Sequence, residues 1–253
     1  MKIIIPNNIY SHIIAVVLEK KENVEISYKE SSLISKALEE DTTAIGLIPS
    51  MDLINHKTFF VSSKAGISFD GLLSNSYFYL SESNERNLGK VFIRGDVSLN
   101  EIILTKILFK ERFFAEVEIN LDTHKEIDKE QNVLVVGDEN IFSWEYGKGI
   151  SFSDQIAEVL DLPYINFIFA SQDNELIEHF EEIVPKIDET IEENLNDIMV
   201  NLRYDEAVKQ HIQKNIGTVY FEITSNEVEA IQELFRLVYY HRVIDDMFDV
   251  KFL

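Results

Sequence analysis

The chain has no cysteine in its 253 residues, which removes disulfides, thiolate nucleophiles and cysteine metal sites together. Proline is scarce at four and glycine sparse at nine, so the chain has few of the residues that most strongly mark stops and turns. Positive charge is short: 23 Lys and Arg face 45 Asp and Glu, for a formal net charge of −22. Such a surface does not suit nucleic acid, whose binding rests on clustered cations against phosphates. Any anion site must be built locally, from backbone N–H groups, helix N-termini and a few cations. No apolar run reaches the length of a membrane-spanning helix, so no membrane segment is expected. The opening MKIIIPNNIYSHIIAVVLEKK is broken by Pro6, two asparagines and His12, with no small-residue cleavage site after it. It reads poorly as an export signal, and a cytoplasmic protein is expected.

What the chain does have is apolar mass. Hydrophobic residues make up 45% and Phe occurs 17 times, enough for the cores of two lobes of ordinary size. The excess acid gathers on segments such as Glu178–Asp197, which read as the solvated face of helices.

Strand and helix patterns alternate from the start. Lys2–Ile5 reads as a strand stopped by Pro6, Tyr10–Lys20 as a helix, Asn23–Tyr28 as a strand, and the stretch from Ser31 as an amphipathic helix. Ala44–Ile48 is a buried strand ended by Pro49, and Ser50 caps a short helix over Met51–Asn55. Two apolar runs divided at Asp70-Gly71 follow, the second being Tyr77-Phe78-Tyr79-Leu80. A second unit has Val91–Ile93, a helix from Ser98 to about Arg112, and strands at Ala115–Ile119 and Val133–Val136. Tyr164–Ala170 is another apolar strand, after which helix is expected almost to the end, with Pro185 at a first turn or a kink and a cap at Ser225. Strand–helix alternation of this kind builds mostly parallel sheets flanked by helices. The two aromatic strands, Ser76–Leu80 and Tyr164–Ala170, are placed to cross between two lobes.

In order along the chain, several of these segments resemble one family. Ile3-Ile4-Ile5-Pro6-Asn7-Asn8, Leu47-Ile48-Pro49-Ser50 and Ile67-Ser68-Phe69-Asp70-Gly71 carry the resemblance in the first part, and Leu134-Val135-Val136-Gly137-Asp138 and Leu162–Ala170 carry it later. The chain resembles the menaquinone-biosynthesis enzymes of the futalosine pathway typified by chorismate dehydratase, within the two-lobed periplasmic-binding-protein-like (type II) folds. The resemblance implies α/β lobes at residues 1–78 plus 170–253 and at 79–169. It implies a carbon–oxygen lyase acting on chorismate or a related small carboxylate, without a cofactor. The alternative is a non-catalytic two-lobed binding or regulatory protein that has lost the anion-binding residues; a third possibility is an altered enzyme for a less charged ligand. In each case the partner is a small molecule, a carboxylate by the resemblance, and neither nucleic acid nor membrane.

The same alignment names the candidate site. By the resemblance, Asn7 or Asn8 takes the place of the family's catalytic asparagine, Asn7 being the better candidate, while Asn7-Asn8 could equally supply turn and cap chemistry before the first helix. Ser50, Gly71, Asn75, Arg94, Ser98, Asn100 and Asp138 fall where ligand-binding groups are expected, at strand ends and helix starts on one side of parallel sheets. Asp138 could instead cap a helix from Glu139. The departures are pointed. The family has an arginine after its glycine where this chain has Leu72-Leu73-Ser74-Asn75, and Ser-Arg-Thr-Ser where this chain has Ser98-Leu99-Asn100-Glu101. Ser98 with Glu101 is the pattern of a capping box, and an acid there repels a dianion. Arg94 is the remaining cation near that edge. The stretch Trp144–Gly149 reads either as a rim over the cleft or, as is more common, as a glycine-rich loop with a packed aromatic. The six histidines have no metal-ligand spacing, and no phosphate-loop, dinucleotide or nucleophile-elbow pattern is present.

Overall fold

A computed structural model describes residues 1–81, 89–124, 126–142, 148–184 and 186–253. Pro185 and most of the Trp144–Gly149 stretch lie outside the described residues. The first lobe opens with β1 (Lys2–Pro6), α1 (Ile9–Leu18), β2 (Glu25–Lys29), α2 (Ser31–Glu40) and β3 (Ala44–Pro49). A 3₁₀ turn (Ser50–Ile54) and β4 (Phe60–Phe69) follow. The chain then passes to the second lobe: β5 (Ser76–Tyr79), β6 (Lys90–Gly95), α3 (Leu99–Phe113), β7 (Glu118–Leu121), β8 (Val133–Val136), α4 (Glu139–Phe142), β9 (Ile150–Ser151) and α5 (Phe152–Leu160). It returns through β10 (Tyr164–Ser171) to α6 (Asn174–Ile183), α7 (Ile187–Asn201), α8 (Glu206–Asn215), β11 (Val219–Glu222), α9 (Ser225–Tyr240) and β12 (Lys251–Phe252).

Two sheets result, and they share one plan. The first has strand order β11-β4-β10-β3-β1-β2, with β12 beside β4; the second has order β7-β6-β8-β5-β9. In the first, β1 is parallel to β2 and β3, and β10 enters antiparallel between β3 and β4. In the second, β6 is parallel to β7 and β8, and β5 enters antiparallel between β8 and β9. Each sheet therefore takes one strand out of sequence order. The aromatic strands read as crossings are these inserted strands: β5 lies wholly in the second sheet and β10 wholly in the first. The chain changes sheets between Phe69 and Ser76 and again between Ser151 and Tyr164, so residues 164–169 pair within the first sheet, not with the middle segment.

Burial follows the pleat. On β1, Ile3 and Ile5 face one core cluster and Ile4 the other; on β10, Phe167 and Phe169 face the first and Ile168 and Ala170 the second. This is the period of two that a strand covered on both faces requires. The second cluster runs from Ile4, Ile34 and Phe235 of the first lobe into Val91, Leu104 and Phe152 of the second, so one apolar core spans both lobes.

Three elements differ from the sequence reading. The expected strand Ala115–Ile119 sits later, at Glu118–Leu121, because Phe114 takes a left-handed conformation (φ 53°) to end α3. The near-continuous helix expected after β10 is interrupted by β11, whose Phe221 and Glu222 N–H groups donate to the Asp188 carboxylate at 2.7 and 3.1 Å. A two-turn alternation, Val219 and Phe221 inward and Tyr220 outward, is too short to stand out among helix formers. The last long helix is capped by Thr224, one residue before the expected Ser225, and ends at Tyr240. Among the described residues no helix is long and apolar enough to cross a membrane.

Gly95 ends β6 at φ +94°, and an added Cβ would stand 2.1 Å from the Val136 carbonyl oxygen. That region is closed to L side chains and the obstacle is backbone, not a movable side chain. Gly95→Ala is expected to lower the free energy of unfolding in urea by at least about 2 kcal/mol.

Candidate functional site

The lobes meet where α1, α2 and the 3₁₀ turn of the first lobe begin. Helix starts carry N–H groups with no partner inside the helix, and their dipoles favour negative charge. Asn8 caps α1 by accepting from Ser11 N–H at 2.9 Å, which leaves Ile9. α2 and the 3₁₀ turn have no side-chain cap of their own. The second lobe supplies all three. Ile9 N–H donates to Asp138 Oδ1 at 2.9 Å. Ser31 N–H and its hydroxyl donate to the two oxygens of Asp96 at 2.9 and 2.6 Å. Met51 N–H donates to Asn100 Oδ1 at 2.9 Å, and Asn100 Nδ2 donates onward to the Asn166 carbonyl at 2.7 Å. Burial pushes the Asp96 and Asp138 carboxyls upward, opposed by these hydrogen bonds.

The helix α3 start is closed from within. Glu101 Oε2 accepts from Ser98 N–H at 3.0 Å and from the Ser98 hydroxyl at 2.8 Å, completing a capping box. Glu101 is only 1% exposed, and burial raises its carboxyl to about 7 despite those bonds. Ser50 lies 3.4 Å from Asn100 Oδ1 in the same buried node. The Tyr164 hydroxyl is raised by its burial and by the charge of Glu101.

Among the described residues, two open cavities flank Asn7. One, of about 460 Å³, lies between the lobes and is bordered by Glu30, Arg94, Asp96 and Asp122 as well as Asn7. Arg94 is engaged there: its guanidinium donates to Asp122 at 3.0 Å and also pairs with Glu139. The other, of about 400 Å³, is bordered by Asn7, His12, Tyr28, Asp138, Arg203 and Tyr204 among others. Along its wall runs a chain of polar contacts. His12 Nε2 is 3.0 Å from Asn7 Oδ1, His12 Nδ1 is 2.7 Å from the Tyr204 hydroxyl, and that hydroxyl is 2.5 Å from Asp138 Oδ2. Burial lowers the proton affinity of His12, while burial and the Asp138 charge raise Tyr204 far above its ordinary value. A third void, of about 10 Å³, touches Asn75, Gly137 and Asp138; it has room for a single water and no ligand.

The residues expected to form one cleft thus fall into five places. Asn7 and Asp138 share one open cavity, Asn7 and Arg94 share the other, and Asn75 meets Asp138 only at the small void. Ser50, Ser98 and Asn100 lie together in the buried node. Gly71 stands apart, its carbonyl accepting from the Ser151 hydroxyl at 3.1 Å. Asp138 does not cap α4 with its side chain but reaches across to α1 and Tyr204. His12 and Tyr204 were not singled out from the sequence. They lie 192 residues apart, and no local pattern announces their contact.

The chain matches no family model, and no curated protein matches it. Solved structures do resemble it over its whole length. Protein AF1704 from Archaeoglobus fulgidus is 16% identical with a TM-score of 0.65, covering 96% of this chain and 98% of that one. The Candida albicans CA3427 gene product, which has the generic periplasmic binding protein fold, is 9% identical with a TM-score of 0.64, covering 98% and 91%. The periplasmic aliphatic sulfonate binding protein SsuA from Escherichia coli is 10% identical with a TM-score of 0.57, covering 99% and 95%. The fold is that of the periplasmic binding proteins: two α/β lobes around a cleft.

The buried acid at the α3 start has a measurable signature. The folded pKa of Glu101, about 7, lies above its ordinary value of 4.5, so the native state holds a proton that the unfolded chain has released. Stability therefore falls as pH rises from about 4.5 to 7. Glu101→Gln keeps an acceptor for Ser98 and is expected to flatten that decline in urea titrations run across the window.

Proposed function

We propose that this protein is a two-lobed small-molecule binding protein whose cleft is remodelled for a ligand with at most one negative charge, and that it does not dehydrate chorismate. One observation carries the reading: the Glu101 carboxylate, buried and hydrogen-bonded to Ser98, occupies the start of α3, where the resembling enzymes hold a substrate carboxylate. A dianion would have to displace that acid or bind beside it. The other anion-favouring ends are filled too, by Asp96 at α2 and Asp138 at α1. Arg94, which borders the larger cavity, is paired with Asp122 and Glu139. Small-molecule binding is in keeping with the neighbours of the same fold, among them a sulfonate binding protein. The accessible polar group is Asn7, exposed at the end of β1 and common to both open cavities.

That same Asn7 favours a second reading, a retained lyase. In such an enzyme the amide would orient a ring substrate while a proton and a C–O bond are lost. Chorismate separates the two. Its dehydration converts a cyclohexadiene to a benzene ring with loss of one water, so it is followed by ultraviolet absorbance and by mass. The expected result is no conversion, and a smaller thermal shift from chorismate than from a monocarboxylate such as benzoate. Turnover to the aromatic product would restore the lyase.

A further inference from the structure

The four side chains along the smaller open cavity allow their hydrogens to be counted. With the Asn7 oxygen turned toward His12 Nε2, that oxygen can only accept, so in this orientation Nε2 carries a hydrogen. Tyr204 has one hydrogen to share between His12 Nδ1 and Asp138 Oδ2. If it goes to Asp138, His12 Nδ1 must also be protonated, and the pair is imidazolium and carboxylate. If it goes to His12, Asp138 must be the protonated acid and His12 is neutral. The two forms contain the same number of protons. They differ by one hydrogen moving from Nδ1 to the tyrosine oxygen while another moves from that oxygen to Oδ2. Either way the chain holds one proton more than a neutral histidine beside an ionised aspartate.

Loss of that proton leaves Nε2 bare. A bare nitrogen 3.0 Å from an amide oxygen is repulsive, and the amide relieves it by turning over to donate from Nδ2. The face that Asn7 shows to the cleft then reverses, from two N–H donors to an oxygen acceptor. Asn7 is exposed and free to turn, whereas Asp138 is fixed by the Ile9 N–H and cannot follow.

We propose that Asp138, Tyr204 and His12 form a proton-set selector acting through Asn7: with its extra proton the site takes a ligand bearing an oxygen acceptor, a small carboxylate, and without it the carboxylate is rejected. This rests on the reading of Asn7 as the ligand-facing group. Asn7 contacts the ligand; the other three are positioning residues. Arg203 borders the same cavity with no partner among the described residues and would face the carboxylate. The groups around the chain are Glu19 on α1, Tyr28 on β2 with its ring 5.1 Å from His12, Arg203 after α7, and Asp96 after β6, whose charge also raises Asp138. Burial weakens ionisation of both His12 and Asp138, which favours one proton shared between them.

Two measurements on the full chain test this. The first needs no ligand: ¹⁵N NMR of the imidazole rings, with His12 assigned from its loss in His12→Gln. At mildly acidic pH, Nε2 is expected to carry a hydrogen, and Tyr204→Phe is expected to shift the pH at which that hydrogen is lost. A bare Nε2, or a titration indifferent to Tyr204→Phe in a variant that still unfolds cooperatively, would overturn the selector. The second uses benzoate as probe. Its dissociation constant is expected in the millimolar range or below, rising about tenfold per pH unit once Nε2 is deprotonated, and weakened by Asn7→Ala. Binding that needs Asn7 but ignores pH would end the selector and leave the site reading intact. Binding that ignores Asn7, or no binding in that range, would end both.

Discussion

Hydrogen-bond donors at the starts of three first-lobe elements have to be satisfied, and in this molecule the other lobe satisfies them. Ile9, Ser31 and Met51 each present an N–H with no acceptor within its own helix or turn, and Asp138, Asp96 and Asn100 each reach across to it. A buried unpaired amide costs about 1–3 kcal/mol, so opening the lobes without water or a ligand to replace these acceptors is opposed three times over. The apolar cluster that continues through the interface adds to the same resistance. Among the described residues, two open cavities meet at Asn7, at the margin of this interface.

The charge pattern becomes intelligible from these contacts. A chain with a large acidic excess would be expected to keep its acids in water, yet Asp52, Asp96, Glu101 and Asp138 are withdrawn from it. Each is paired with hydroxyls or backbone N–H groups, not with Lys or Arg. Asp52, which accepts from the Ser35 hydroxyl at 2.5 Å and is raised to about 6, shows the arrangement within one lobe. The interior thus uses carboxylates as acceptors for oriented dipoles, and the cations stay outside or, like Arg94, answer other acids.

Much of this was legible in the sequence where the signal was local. Pro6 and Pro49 end their strands as read, the run Tyr164–Ala170 is buried at every position, and Ser98 with Glu101 makes the capping box that their spacing indicates. What escaped was non-local. Nothing near Asp138 shows that its side chain will leave α4 for a helix 129 residues earlier. No local pattern sets Tyr204 apart, and His12 was weighed only as a break in the opening apolar stretch and against metal spacing. β11 is too short for its alternation to compete with the helical sequence around it. Pairings of this kind are set by how the lobes meet, which no window of sequence contains.

The out-of-order strands also fix a sequence of events in time. All strands of the second sheet lie between Ser76 and Ser151, so that sheet can close as soon as this stretch exists. The first sheet cannot. Until Tyr164–Ser171 arrives, β3 and β4 are separated by the width of a missing strand, a gap of about 10 Å. A chain emerging from the ribosome therefore carries an unfinished outer lobe while its middle is completed, and the early β1–β4 segment waits with open edges, exposed to wrong partners. The middle lobe is the natural template on which the two ends are later joined.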